Sequence, residues 1–341
     1  MEQPTLHRLE GISPRAFQHP ADRAATAALA QIPGVDQVVR KLTELQYERA
    51  LRQMLLANAV KIGPRQLPEL WKVYERAGDT LDLPELPELY TTYFPFGPNA
   101  MAIGAGRPIV VVSSQFVEML DPDELWALFG HELGHVLADH ALYATTLAIL
   151  LQLQGSLPFP VRLPYRAVLA VLLEWSRSAE LTADRASALA CRDPLVSCRM
   201  LMVMTAGVPS SRLDLDAFLL QASEYEEWDS RWDRLMRVIA ERRGTHPYAV
   251  RRVKQLTEWV HGGDYDRILG GHYPRRGKSD LRGDADKASE YYVNKMWNIY
   301  RDASEATQGF RDRIDSWLKR DAESEPENEE PEDLGELEGP R

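Results

Sequence analysis

Cysteine is scarce in this chain. Its 341 residues include two, Cys191 and Cys198. Their C-x6-C spacing fits no zinc pattern. Two reduced thiols in a cytoplasmic protein are the expectation. Long apolar runs are lacking too. ALYATTLAILLQL (141–153) and AVLAVLL (167–173) fall short of the ~18–20 residues of a spanning helix. They flank a Gly/Pro-rich break, GSLPFP, and predict a buried helical hairpin, with peripheral membrane contact as the alternative. The first residues, MEQPTLHRLEGISPRAF, lack the apolar stretch of a signal peptide. No internal repeat is visible.

An excess of positive charge is missing as well. The formal net charge is −11, and ten acids against one base fall within residues 321–341, which leaves the rest near −2. A nearly neutral body gives no electrostatic reason to expect a nucleic-acid partner. The Glu- and Pro-rich end, DAESEPENEEPEDLGELEGPR, is too poor in apolar residues to form a core and reads as a disordered acidic tail.

What is present is helical periodicity with one strand-rich interval. PADRAATAALAQI, VDQVVRKLTELQYERALRQMLLANAV and LPELWKVYERAG repeat apolar residues at three- and four-residue spacing. ELYTTYF, AMAIG and PIVVVSS follow, and the last two read as a hairpin across GAGR. A helix then starts at LDPDELWALFG, with Asp121 as N-cap, Pro122 first and Glu124 third. Another is predicted from about Tyr165 to about Ala190, and more over 214–243, 246–261 and 285–319, with a loop near 278–286. The fold class is mainly helical α+β. Its parts are an N-terminal helical region (1–82), a core (83–261), a C-terminal helical extension (262–320) and the tail (321–341).

The chemistry is concentrated in HELGHVLADH (131–140). Positions i and i+4 share a helix face, so His131 and His135 can offer two imidazole nitrogens to one tetrahedral zinc, with Glu132 beside them to reach a water there. Roughly 0.02 such patterns are expected by chance in a chain of this composition, so coincidence is the weaker reading. Gly130 and Gly134 each cost about 1 kcal/mol against alanine in mid-helix, which suggests that something approaches the backbone closely. A catalytic zinc needs a third protein ligand. His140 lies five residues past His135, about 500° around a continuous helix, and so is predicted to point away and serve a supporting role, with ligation as the alternative. The better candidates are Glu180 and Asp184, again i and i+4, in EWSRSAELTADRASALA. Glu180 could ligate the metal while Asp184 fixes the tautomer of a liganding imidazole.

HELGH followed by E-L-T-A-D resembles the gluzincin metallopeptidases of the HtpX and CAAX-prenyl-protease type. PNAMAIG (98–104), DPDELWALFGHELGHVLADH and THPYAVRRVKQL (245–256) extend the likeness over roughly residues 85–260. The resemblance implies a zincin-like core and one Zn2+ per chain held by His131, His135 and Glu180. It implies Glu132 as general base and Asp184 as a support behind a ligand, and it matches Arg252, read here as a further support, to the arginine of the family's THP segment and His140 to the histidine that trails its active-site helix. It places His246 near the metal, steadying oxyanion or substrate. The segment Asn99, Ala100, Met101 and Ala102 would be an edge strand on which a protein or peptide substrate docks by main-chain hydrogen bonds. The expected activity is hydrolysis of internal peptide bonds. Membrane members of that family carry long apolar spans that this chain lacks. The same residues also fit two other readings: a zinc-stabilised scaffold without turnover, and a latent protease that a membrane or partner activates.

Overall fold

The computed structural model describes residues 8–29, 47–95, 97–104, 106–153, 159–227 and 248–277. His246, the proposed helix at 285–319, the loop near 278–286 and the acidic tail lie outside the described residues. So does the part of the 214–243 stretch beyond Glu227.

Helices dominate, around one small sheet. In chain order they are α1 (Pro20–Leu29), α2 (Tyr47–Asn58), α3 (Pro68–Thr80), α4 (Ser114–Met119), α5 (Pro122–Leu137), α6 (Ala141–Leu153), α7 (Phe159–Cys191), α8 (Pro194–Ala206), α9 (Leu215–Glu227), α10 (Ala249–His261) and α11 (Asp264–Leu269). The strands are β1 (Val60–Lys61), β2 (Glu88–Thr92), β3 (Ala100–Ile103) and β4 (Ile109–Ser113), in the order β1-β2-β4-β3. β3 and β4 form the expected antiparallel hairpin, with Met101 opposite Val111. β2 runs parallel to β4. β3 is left at the edge of the sheet.

β4 is buried along its whole length, which is why it reads as an unbroken β-branched run rather than an alternation. Val110 and Val112 join the main core, while Ile109 and Val111 pack with Leu51 and Leu55 of α2, as the two-residue side-chain period of a strand requires.

α5 lies at the centre. The Asp121 carboxylate accepts from the Glu124 N–H at 2.8 Å, and the Glu124 carboxylate accepts from the Asp121 N–H at 3.0 Å, a reciprocal cap. Every residue from Glu124 to Gly134 is buried. A helix with no solvent face needs apolar neighbours on all sides, and Leu125, Leu128, Phe129 and Leu133 meet them in the main core. Each such side chain contributes about 1.5–3 kcal/mol by its burial.

α5 ends because Asp139 takes a left-handed conformation, φ 61°, an uncommon state for a residue with a Cβ. The chain turns there, and α6 leaves at 96° to α5. α7 starts earlier than its apolar pattern suggests, at Phe159: its first turn takes in Pro160, the last residue of GSLPFP, at a position where a helix accepts proline. Its second half packs along α5. Its first half, with α6 and α1, encloses a smaller cluster containing Leu147, Leu150, Leu172 and Trp175. This is the expected buried hairpin. Among the described residues, no single helix is long and apolar enough to cross a membrane.

Candidate metal centre

Two helices must approach closely for side chains on both to reach one point. The glycines allow it. A Cβ on Gly130 would collide with the Ala190 methyl, and one on Gly134 with the Ala186 methyl. What approaches the backbone is therefore α7, through its small residues. That contact carries Glu180 and Asp184 to the histidine face of α5.

There the three expected ligands converge. His131 Nε2 and His135 Nε2 are 3.2 Å apart. Glu180 places Oε2 3.5 Å from His131 Nε2 and Oε1 3.5 Å from His135 Nε2. These three form the metal-competent group among the described residues, and His140 is not part of it. A tetrahedral zinc with ~2.0–2.1 Å bonds sets its ligand atoms about 3.4 Å apart, so the spacing fits. The charge fits too. Glu132, Glu180 and Asp184 are buried together with one guanidinium, that of Arg252, so the pocket lacks positive charge.

The imidazoles register this imbalance. Burial lowers the pKa of His131, but its hydrogen bonds with Asp184 and Glu180 outweigh burial and raise it to about 9. His135 behaves oppositely: burial prevails over the pull of Glu180 and lowers it to about 4. A metal ligand must be neutral imidazole, and His135 is held so by its surroundings.

The partners around the ligands set their orientation. Asp184 Oδ1 lies 3.1 Å from His131 Nδ1, so when the ring is neutral its one proton sits on Nδ1 and Nε2 has the lone pair for a metal, which takes the place of the second proton. Arg252 grips Asp184 with two bonds, Nε to Oδ2 at 2.8 Å and Nη2 to Oδ1 at 2.6 Å. Its Nη1 lies 3.2 Å from Glu180 Oε2. Burial disfavours the cation, but Asp184 and Glu180 override it and raise the Arg252 pKa.

His140 departs from the sequence expectation in its direction. That expectation continued the helix through it. Because α5 stops at Leu137 and Asp139 is left-handed, the chain folds back, and His140 Nδ1 comes to 3.0 Å from His135 Nδ1. Beyond it stands Asp22 of α1, with Oδ2 3.0 Å from His140 Nε2. The sequence reading missed Asp22. One signal was available: in PADRAATAAL it sits three residues before Ala25 and seven before Leu29, an acid on a buried helix face.

The centre opens into a cavity of about 430 Å³. Its lining includes His131, Glu132, His135, Glu180 and Arg252, together with the edge-strand stretch from Asn99 to Ile103. Apolar side chains of α6, α7 and α8, among them Leu147, Trp175 and Leu201, complete the walls.

Comparison with known proteins agrees with this geometry. The model of peptidase family M48 matches residues 64–260. The plastoglobule-localized metallopeptidase 48 of Arabidopsis thaliana is 34% identical over 260 residues, 74% of this chain and 74% of its own length. A protease HtpX homolog of Moorella thermoacetica is 36% identical over 106 residues, 30% of this chain and 35% of the relative. One from Tropheryma whipplei is 38% identical over 85 residues, 24% of this chain and 28% of the relative. No solved structure matches the chain at a significant level. With two imidazoles and a carboxylate converging on a cleft, and a family model covering more than half its length, the chain belongs to peptidase family M48, as an HtpX-type zinc metallopeptidase.

Proposed function

We propose that the chain is an endopeptidase that binds one Zn2+ through His131, His135 and Glu180, with Glu132 as its general base. The observation that carries this reading is the convergence of His131 Nε2, His135 Nε2 and the Glu180 carboxylate within 3.2–3.5 Å of one another at the wall of a cleft. Zinc, when bound, supplies Lewis acidity toward the scissile carbonyl and lowers the pKa of water toward ~7. Glu132 lies next to His131 in sequence and lines the same cleft. Its carboxylate takes a proton from water and returns it to the departing amine. Asp184 keeps the His131 proton on Nδ1, and Arg252 neutralises Asp184 and steadies Glu180.

The substrate is an extended peptide that adds to β3. The Ser113 N–H donates to the Asn99 carbonyl at 2.8 Å, so Ala100 and Val112 form a non-hydrogen-bonded pair. By alternation, the main-chain groups of Met101 face β4 and those of Ala102 face away from it. The Gly104 N–H, also directed away, donates to Thr145 Oγ1 of α6 at 2.8 Å. A peptide paired along this edge gains affinity from main-chain bonds. Cys191 and Cys198 are both free and buried, which supports a reducing compartment such as the cytoplasm.

The test is a Glu132→Gln protein assayed on casein or a peptide library. Turnover should disappear while zinc content stays at the wild-type level, because Glu132 is not a ligand. Cleavage at the parental rate would overturn the assignment.

A further inference from the structure

The side chains of the metal centre do not end with the α5–α7 pair. His135 Nε2 faces His131 and Glu180, so a proton on His135 sits on Nδ1, the nitrogen 3.0 Å from His140 Nδ1. His140 therefore accepts at Nδ1 and donates from Nε2. Its acceptor is Asp22 Oδ2 at 3.0 Å. The order is His135, His140, Asp22, with every proton position set by the next partner.

Asp22 is itself held on several sides. Thr182 Oγ1 donates to its Oδ2 at 2.7 Å, and Gln18 Nε2 to the same oxygen at 3.0 Å. Thr26 Oγ1 donates to Oδ1 at 3.1 Å. The residue has no solvent exposure. A buried carboxylate is tolerated only when so many donors meet it. Burial acts to raise its pKa, but attraction and hydrogen bonding from His140, then bonds from Thr182 and Gln18, hold it at about 2. Thr182 lies on α7 between Glu180 and Asp184, and its Oγ1 also accepts from the His19 N–H at 3.0 Å. Trp175 of α7 donates to Thr26 at 3.0 Å. α1 thus ties to both metal-bearing helices: to α5 through His140, and to α7 through Thr182 and Trp175.

We propose that Asp22 is a positioning residue of the metal centre, acting through His140 to fix the ring of His135, and that α1 is consequently part of the catalytic unit although it precedes the segment matched by the family model. The inference rests on His135 being a ligand. It gives the two liganding imidazoles parallel support: His131 meets a carboxylate directly, Asp184, and His135 meets one through a second imidazole. A carboxylate behind a liganding histidine orients the ring and raises its basicity, and removing such a partner typically weakens metal binding ~10–100-fold.

The experiment measures zinc affinity by chelator competition on the full chain, with the visible spectrum of the Co2+-substituted protein as a report on ligand geometry. Four variants are compared with wild type: Asp22→Asn, Asp22→Ala, His140→Ala and the double variant Asp22→Ala/His140→Ala. Asp22→Ala and His140→Ala should each bind zinc ~10–100-fold more weakly, with altered Co2+ spectra. Asp22→Asn, which keeps size and some hydrogen bonding, should fall between Asp22→Ala and wild type and carries the test if the alanine variant does not fold. The double variant should bind no more weakly than His140→Ala, because both act along one path. Wild-type affinity and an unchanged Co2+ spectrum in Asp22→Asn and Asp22→Ala would overturn the proposal, and so would additive losses in the double variant. His135→Ala separates this from the ligand assignment. If it retains zinc, the ligand reading fails; if it loses zinc while the Asp22 variants bind normally, the positioning role alone fails.

Discussion

The methyl group of Ala186 occupies the space that a Cβ on Gly134 would need. This contact sets the distance between α5 and α7, and so the distance between the histidines and Glu180. In an exposed helix, glycine to alanine gains about 1 kcal/mol. Here the added methyl meets a rigid neighbour, and overpacking of this kind costs about 1–3 kcal/mol. Gly134→Ala should therefore lower the denaturation midpoint and weaken zinc binding. Adding Ala186→Gly should recover part of both. A Gly134→Ala protein more stable than wild type would mean that the helices are not so closely packed.

Removing Arg252 leaves Asp184 and Glu180 buried beside the rest of the carboxylate cluster without their cation. Breaking one side of a buried charge pair costs about 3–5 kcal/mol. Arg252→Met should show a loss of that order by chemical denaturation of chelator-treated protein, and a smaller one with zinc present. Arg252→Lys restores charge without the two-pronged grip on Asp184 and should lie between. A loss under about 1 kcal/mol in Arg252→Met would contradict the role given to it.

The edge strand can be tested without disturbing the sheet. The main-chain N–H of Ala102 faces away from β4, and proline is tolerated where a strand's N–H is not needed by its neighbour. Ala102→Pro should keep the fold and the zinc while raising KM for peptides about 5-fold, near the ~1 kcal/mol of one hydrogen bond. Met101→Pro, which removes a bond to β4, should instead destabilise the protein. Equal KM values for wild type and Ala102→Pro would remove β3 as the docking edge.

His19 gives a pH signature away from the metal. Its Nδ1 accepts from the Ala21 N–H at 3.1 Å at the start of α1, and its Nε2 faces Gln255 Oε1 at 3.3 Å. A proton on Nδ1 would confront a donor. Burial first, then Arg185, lowers its pKa to about 4; Gln255 and Asp22 act in the other direction, and Arg251 lowers it further. The unfolded chain takes up this proton below about 6.5. The contribution is thus intact above pH 6.5 and lost as pH falls toward 4, by about 3 kcal/mol at most. His19→Asn keeps an acceptor for Ala21 and removes the titration. The difference between the wild-type and His19→Asn stability curves should grow between pH 6.5 and 4; a flat difference would contradict this.

Much of the site was legible because its rules are local. D-P-D-E announces a helix start, H-x-x-x-H and E-x-x-x-D announce shared faces, and two mid-helix glycines announce a close neighbour. The hairpin of β3 and β4 was equally plain. The parallel pairing of β2 with β4, which leaves β3 at the edge, was not read from the sequence, since strand order depends on contacts between distant segments. The position of His140 was hidden by one left-handed non-glycine residue, Asp139, that no periodicity reveals. Asp22 was hidden by distance: it is 118 residues from His140, and only packing of α1 brings them together.

The most direct measurement is the zinc content of purified wild type beside Glu180→Ala and His140→Ala at limiting metal. One zinc per chain is expected in wild type. Glu180→Ala should lose it, while His140→Ala should retain a weaker site that fills when zinc is added. Full zinc occupancy in Glu180→Ala, with none in His140→Ala at any concentration, would contradict a centre built from His131, His135 and Glu180.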